Sequence, residues 1–264
     1  MFCGFNLTIK NENHFMSSYD IGNQDYNTQK SKIEECLSSY LEPNNKLNAK
    51  EIINNWFPTI DANIFISHSH KDKKLAISFS GWLKEEFGLT SFIDSCVWGY
   101  SDDLLRKLDD EYCWQQKSET YSYKKRNNST SHVHTMLTTS LLNMIDNCEC
   151  LIFLNTPSSI STSDIDESTN TDSPWIFYEI ATSKLIRRNL PTRLSKGISM
   201  EGLVNKNIAE SMSLQIQYDT DLTHLISLSD SLLLEWKNIF SEQRNKKLDS
   251  ALDILYAMLN FKIN

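Results

Sequence analysis

Glycine is scarce in this chain: 7 residues in 264, at positions 4, 22, 81, 88, 99, 197 and 202. No two stand as G-x-G, and no G-x-x-x-x-G-K-[ST] occurs. Dinucleotide fingerprints and P-loops need glycine so that backbone can approach phosphate closely. Both are excluded, and a bound nucleotide needs another route. Proline is scarcer still, at 5. No apolar run reaches the roughly 18 residues of a membrane-spanning helix. No G-x-S-x-G is present, so a Ser-His-Asp hydrolase lacks its elbow. Positive charge is also short. Lys and Arg total 26 against 34 Asp and Glu, a net charge of −8. The longest basic run is Lys124-Lys125-Arg126. Phosphate backbones demand a clustered positive surplus, so nucleic acid is not an expected partner.

Cysteine is present but dispersed, at positions 3, 36, 96, 113, 148 and 150. That is not the density of a disulfide scaffold, and the pattern reads as reduced thiols. Cys148-Glu149-Cys150 is shorter than the usual C-x-x-C metal spacing, and Cys150 opens an apolar run, so buried thiols are the better reading. The segment Met1 to His14 has Lys10 but no continuous apolar stretch, so no leader is expected. The expected compartment is the cytoplasm. With 40% hydrophobic and 23% charged residues, the chain can bury a core.

Residues 1–60 are polar and asparagine-rich, and read as an N-terminal helical extension. The spacing predicts a helix from Thr28 to Leu41, stopped by Pro43, and another from Asn48 to Trp56 before Pro58. The pattern changes at Asp61. Residues 62–66 read as a buried strand, broken by Ser67-His68-Ser69-His70. Leu75, Phe79, Trp82, Leu83 and Phe87 then follow a helical period, with Gly88 in the C′ position. Ser91-Phe92-Ile93-Asp94 is a second strand, followed by a loop carrying Trp98 and Gly99. Ser101 is the expected N-cap of the next helix, with Asp102 and Asp103 in its first turn.

Residues 114–131 read as an inserted polar loop, with a helix resuming at His132. Cys150 to Leu154 is a third strand, and 158–172 a second surface insertion. Ser173-Pro174 marks a helix start that runs through Glu179 to Ile186, with Arg187-Arg188 in its last turn. Weaker strand candidates lie at Gly197–Val204 and Leu214–Tyr218, and helices at about 221–240 and 242–260. Three parts result: the extension 1–60, an α/β domain over 61–220, and C-terminal helices 221–264 packed on it.

Alternating strands and helices predict an α/β fold with a mostly parallel sheet and helices on both faces. Ligands in such sheets sit beyond the carboxyl ends of the strands. That rule selects 67–71, 94–101 and 155–175, and brings Ser67, His68, Asp94, Trp98, Trp175 and Glu179 toward one rim. His132 and His134 are two apart on a helix and face different ways, so one metal seldom takes both. No metal is expected. His134 is retained as a candidate facing the pocket.

The residues resemble a known family. Ile64 to Asp72 (IFISHSHKD) looks like the first strand and turn of a TIR (Toll/interleukin-1 receptor) domain. Ser91 to Asp94 and the following loop with Gly99 resemble its second strand and BB loop, and Cys150 to Asn155 its third strand. Ser173-Pro174-Trp175-Ile176-Phe177-Tyr178-Glu179 resembles the W-x-x-x-E segment of its αC helix. The likeness spans roughly 62–220 and is greatest to bacterial TIR proteins of Thoeris anti-phage defence, the ThsB-like kind.

The resemblance implies a flavodoxin-like TIR fold, self-association with other TIR subunits, and cleavage of NAD+ at the nicotinamide–ribose bond. NAD+ is then a substrate, with no resident cofactor. The product is linear, cyclic or conjugated ADP-ribose. A phage component as trigger and a separate effector that senses the product are implied likewise. The family's catalytic glutamate falls on Glu179.

That chemistry suits the residues. Nicotinamide leaves from a cationic pyridinium and needs no general acid, so one carboxylate suffices to stabilise an oxocarbenium-like ribose. Trp175 is four residues before Glu179, on the same helix face, where an indole stacks on a base. Without a glycine loop, the pyrophosphate would use side chains and N–H groups at a helix start such as 68–72. Two other classes compete. One is a TIR scaffold whose glutamate is idle. The other is a nucleoside deoxyribosyltransferase-like enzyme, which shares the architecture and uses a carboxylate on a sugar.

Overall fold

The structure, a computed structural model, describes residues 1–30, 47–162, 169–191, 218–243 and 251–259. In chain order, β1 (Cys3–Thr8), α1 (Asn13–Met16), α2 (Tyr19–Lys30) and α3 (Ala49–Trp56) precede β2 (Ile64–Ser67). A 3-10 turn (His70–Asp72), α4 (Lys73–Phe87), β3 (Ser91–Ile93) and α5 (Ser95–Leu108) follow. A π-helical turn (Asp109–Cys113) leads into the hairpin β4 (Trp114–Gln115) and β5 (Thr120–Tyr121), then α6 (Tyr123–Asn147). Next are β6 (Cys150–Leu154), β7 (Ser161–Thr162), β8 (Thr169–Thr171) and α7 (Pro174–Leu185). The chain closes with β9 (Tyr218–Asp219), β10 (Ile226–Ser229), α8 (Asp230–Gln243) and α9 (Ala251–Met258).

The fold is α/β, with a five-stranded parallel sheet in the order β10-β1-β6-β2-β3 flanked by helices. In space this is the flavodoxin-like order, with the fourth place taken by the chain's first strand. Residues 1–60 are therefore not only a helical extension. Cys3–Thr8 was hidden because only its buried, near-continuous apolar character marks it, and Gly4 and Asn6 interrupt that run. It sits between β6 and β10, with Cys3 opposite Cys150 and Phe5 opposite Ile226.

The chain divides into two interleaved units, 1–23 with 61–93 and 145–264, and 24–60 with 94–144. The chain crosses from the second unit to the first between Ile60 and Asp61, and no crossing falls at 221. The first unit holds the sheet. β2 and β6 are buried throughout because neighbours cover both faces, and they read as apolar runs. α4 buries Leu75, Phe79, Trp82, Leu83 and Phe87 as its period predicts. Gly88 ends it at φ 70°, a conformation costly for any other residue. Phe87 stacks on Trp236 of α8 with centroids 3.7 Å apart, and the Trp236 indole N–H donates to the Ala251 carbonyl at 2.8 Å. Truncating a buried tryptophan of this kind costs about 3–5 kcal/mol. α2 and α4 meet at two glycines. A Cβ on Gly22 would lie 1.9 Å from the Ile77 carbonyl oxygen, and one on Gly81 2.0 Å from that of Ser18.

The second unit is helical. Asn48 caps α3 by accepting from the Lys50 and Glu51 amides. Ser140 of α6 donates to the Phe57 carbonyl at 2.8 Å. α5 begins at Ser95, not at Ser101, because Asp94 accepts from the Ser95 amide at 2.7 Å and starts the helix earlier. The expected loop 94–101 is therefore its first turns. Residues 114–131 are likewise not a loop: the hairpin occupies 114–121 and α6 starts at Tyr123. Polar composition misled because Ser131 and Thr135 turn their hydroxyls back onto carbonyls four residues earlier. Asp109 fixes that segment, accepting from Arg126 Nε at 2.8 Å and Ser129 Oγ at 2.5 Å. Burial alone would raise its pKa, but these bonds and the guanidinium hold it below the ordinary carboxylate value.

Three more expectations change. Residues 221–229 were expected in a helix, yet Ile226–Ser229 forms the edge strand β10, recruited by β1. Arg187 and Arg188 lie beyond the end of α7 at Leu185. Within the 158–172 insertion, β7 and β8 pair with each other and, through β8, with β9. Residues 31–41 of the first predicted helix, the strand candidate Gly197–Val204, and 214–217 lie outside the described residues, as do 244–250.

Candidate functional site

Sheet topology picks the place. From β2 the chain moves outward to β3, then returns past β2 to β6. After β2 the next strand of the sheet lies on one side, and after β6 on the other, which makes their carboxyl ends the switch point where open α/β sheets bind ligands. Ser67 is the last residue of β2. From α7, Glu179 reaches the same point. The Ser67 hydroxyl donates to Glu179 Oε2 at 2.6 Å, and both residues are fully buried.

α7 is placed by its first turn. Ser173 caps it, accepting from the Ile176 amide at 3.3 Å, and Pro174 occupies the first turn, where no amide is missed. Such a cap is worth about 1 kcal/mol. Phe177 stacks on Tyr218 at 4.8 Å and holds the helix to the small sheet. Trp175, one turn before Glu179, is half-buried rather than a core anchor. One turn after it, Ser183 pairs with His224 Nε2 at 2.8 Å. Burial pushes the His224 pKa below its ordinary value of 6.5, against a smaller pull from Asp221. Burial also raises the Tyr178 phenol, and the Glu179 charge adds to that.

The loops after β2 and β6 are tied together. Thr156 Oγ1 donates to Asp72 Oδ2 at 2.5 Å, and the Thr156 amide donates to Ser159 Oγ at 2.8 Å. Ser159 in turn donates to the Leu154 carbonyl at 2.9 Å. The strand-end rule selected the segment containing Thr156 and Ser159 but no periodicity singles out either residue. Their signal is local: Thr and Ser three apart directly after a strand form a hydroxyl turn.

Of the expected site residues, the first unit holds Ser67, His68, Trp175 and Glu179. His68 is buried beside Ser67. The other three belong to the second unit. Asp94 is buried and serves as the cap of α5. Trp98 lies within α5, with its side chain outside the described residues. His134 is exposed on α6, as is His132. The α6 stripe turned toward the core is instead Val133, Met136, Leu137, Leu141 and Met144.

The described cysteines, Cys3, Cys113, Cys148 and Cys150, are buried free thiols. Burial pushes Cys148 up to about 12. Among the described residues, no helix is long and apolar enough to cross a membrane. No protein-family model, curated protein or solved structure matches the chain.

Proposed function

We propose that this chain is a TIR-like enzyme that cleaves NAD+ at the nicotinamide–ribose bond. One observation carries the reading: a buried carboxylate, Glu179, held by Ser67 at the carboxyl end of β2 and one helical turn from Trp175. The C1′–N bond breaks with its electron pair leaving on nicotinamide, which departs neutral. Positive charge develops on the ribose. A fixed carboxylate away from water stabilises that charge far more than one in bulk solvent. Ser67 keeps the carboxylate in place, so little reorganisation is needed at the moment of bond breaking. The cation is then captured by water, releasing a proton and ADP-ribose, or by a nitrogen of a base stacked on Trp175, giving a cyclic product.

Glu179 is covered in this structure, so substrate reaches it only after the site opens. The isolated chain accordingly turns over slowly, and a trigger or self-association supplies the free energy of opening. The setting is cytoplasmic anti-phage signalling, with the trigger a phage component and the product read by a separate effector.

The test is nicotinamide release by purified protein with and without Glu179→Gln. The variant keeps shape and hydrogen bonding but loses the charge, and is expected to lose activity by about 10²-fold or more with its melting point unchanged. Activity within threefold of the parent ends the proposal and leaves a binding scaffold.

A further inference from the structure

We propose that the cavity of the second unit, between α3, α6 and the π-helical turn, binds a long-chain carboxylate. This inference stands independently of the Glu179 reading. The cavity measures about 800 Å³, within the range of small-molecule sites. Its apolar wall is built by Ile52 and Ile53 of α3, Leu108 at the end of α5, and Met136 of α6. Among the described residues, most of its polar side comes from α6. Lys125, Ser129 and His132 recur at helical spacing and so line one stripe of that helix.

Charge selects the ligand. The chain carries a net −8, yet among the described residues no acidic side chain lines this cavity, while Lys125 and His132 do. Lys125 Nζ donates to the Tyr112 carbonyl at 3.0 Å, which holds the ammonium at the rim and leaves two of its protons. Asp109, on the π-helical turn, is buried and spent on Arg126 and Ser129. An apolar wall with a lysine ammonium and an imidazole on one side fits an amphiphile with an anionic end.

The backbone adds a second observation. Asp109 to Cys113 winds as a π-helix, a rare turn that gathers at functional sites. It carries Tyr112 and Cys113 onto the wall. The Cys113 thiol is buried and burial raises its pKa, so it lies there as a neutral, polarisable apolar group.

The experiment is a fluorescence titration of the full chain with a dansylated long-chain carboxylate, displaced by decanoate, dodecanoate or dodecanol below their micelle concentrations. Each buried methylene is worth about fourfold in affinity, so dodecanoate, with two more, should displace the probe roughly fifteenfold better than decanoate. Dodecanol should be at least about tenfold weaker than dodecanoate, having no charge for the Lys125 ammonium. The double variant Lys125→Glu, His132→Glu is at the exposed rim and should keep the fold. It should remove that preference. Ile53→Trp fills the half-open wall and should block both ligands. The proposal is overturned if no competitor displaces the probe, if dodecanol equals dodecanoate, or if neither variant changes displacement.

Discussion

Ser67 and Glu179 are 112 residues apart in sequence and 2.6 Å apart in space. One ends a strand and the other is in the second turn of a helix. Their bond makes a carboxylate at the sheet's switch point a positioned group rather than a loose one.

The first prediction concerns that bond. A hydrogen bond to a charged acceptor contributes about 1.5–3 kcal/mol, so Ser67→Ala should lower nicotinamide release by roughly tenfold or more. Ser67→Thr retains the hydroxyl on a strand that tolerates β-branching, and should restore most of it. Equal activity in the parent and Ser67→Ala would show that the bond serves only the fold.

Trp175 is tested by product ratio. It is half-buried on the Glu179 face of α7, where stacking on a base is worth about 1 kcal/mol or more. Trp175→Ala should reduce cyclic or conjugated product more than total nicotinamide release, because water then captures more of the ribosyl cation. A mass-resolved product ratio, normalised to nicotinamide and read beside a melting curve, decides. An unchanged ratio with a lower melting point returns Trp175 to a packing role.

The α2–α4 crossing gives a prediction opposed to simple propensity. Alanine is favoured over glycine in a helix by about 1 kcal/mol. At Gly22 and Gly81, however, the new Cβ would fall 1.9 Å from the Ile77 carbonyl oxygen of α4 and 2.0 Å from that of Ser18, just before α2. Backbone cannot move aside as a side chain does, so the clash wins. Gly22→Ala or Gly81→Ala should destabilise by about 2 kcal/mol or more, lowering the melting temperature by roughly 4–8 °C. A rise in melting temperature refutes the close approach.

Acid stability should depend on His224. Burial lowers its folded pKa below 6.5, so the unfolded chain binds the proton first as pH falls. Stability is therefore full above the unfolded value and declines as pH drops through and below it. His224→Asn should flatten the part of the decline that begins near 6.5. Asp221 is held well below its ordinary value by hydrogen bonds from Lys184 and Thr223 and by the Lys184 charge. Its contribution is lost only in stronger acid, so urea midpoints measured across both ranges separate the two. A variant midpoint that tracks the parent at every pH removes His224 from the account.

Much of the site's helix was legible from local chemistry. Ser173-Pro174 announced the start of α7, and the four-residue spacing of Trp175 and Glu179 put them on one face. α4 and its Gly88 terminus were equally plain, since a 3.6-residue period and a left-handed glycine are properties of a few neighbouring residues. The strands Ile64–Ser67, Ser91–Ile93 and Cys150–Leu154 followed from apolar runs between breakers.

What local chemistry does not contain is who pairs with whom. Cys3–Thr8 and Ile226–Ser229 are strands because β6 offers an edge to the first and the first then offers one to the second. Pairings such as Cys3 with Cys150 and Phe5 with Ile226 are between residues far apart in the chain and leave no period in either segment. The division of the expected rim has the same origin. Asp94, Trp98 and His134 have the right residue types, yet they fall in a second packing unit whose membership is set by tertiary contacts. Sequence alone determined the parallel α/β class, the capped helix and the single carboxylate on its tryptophan face, because each is encoded within a turn or two of chain. Only the tertiary structure decided that Ser67 meets that carboxylate and that the first strand fills the fourth place in the sheet, because both depend on loop closures whose free energy is recovered only when the whole sheet assembles.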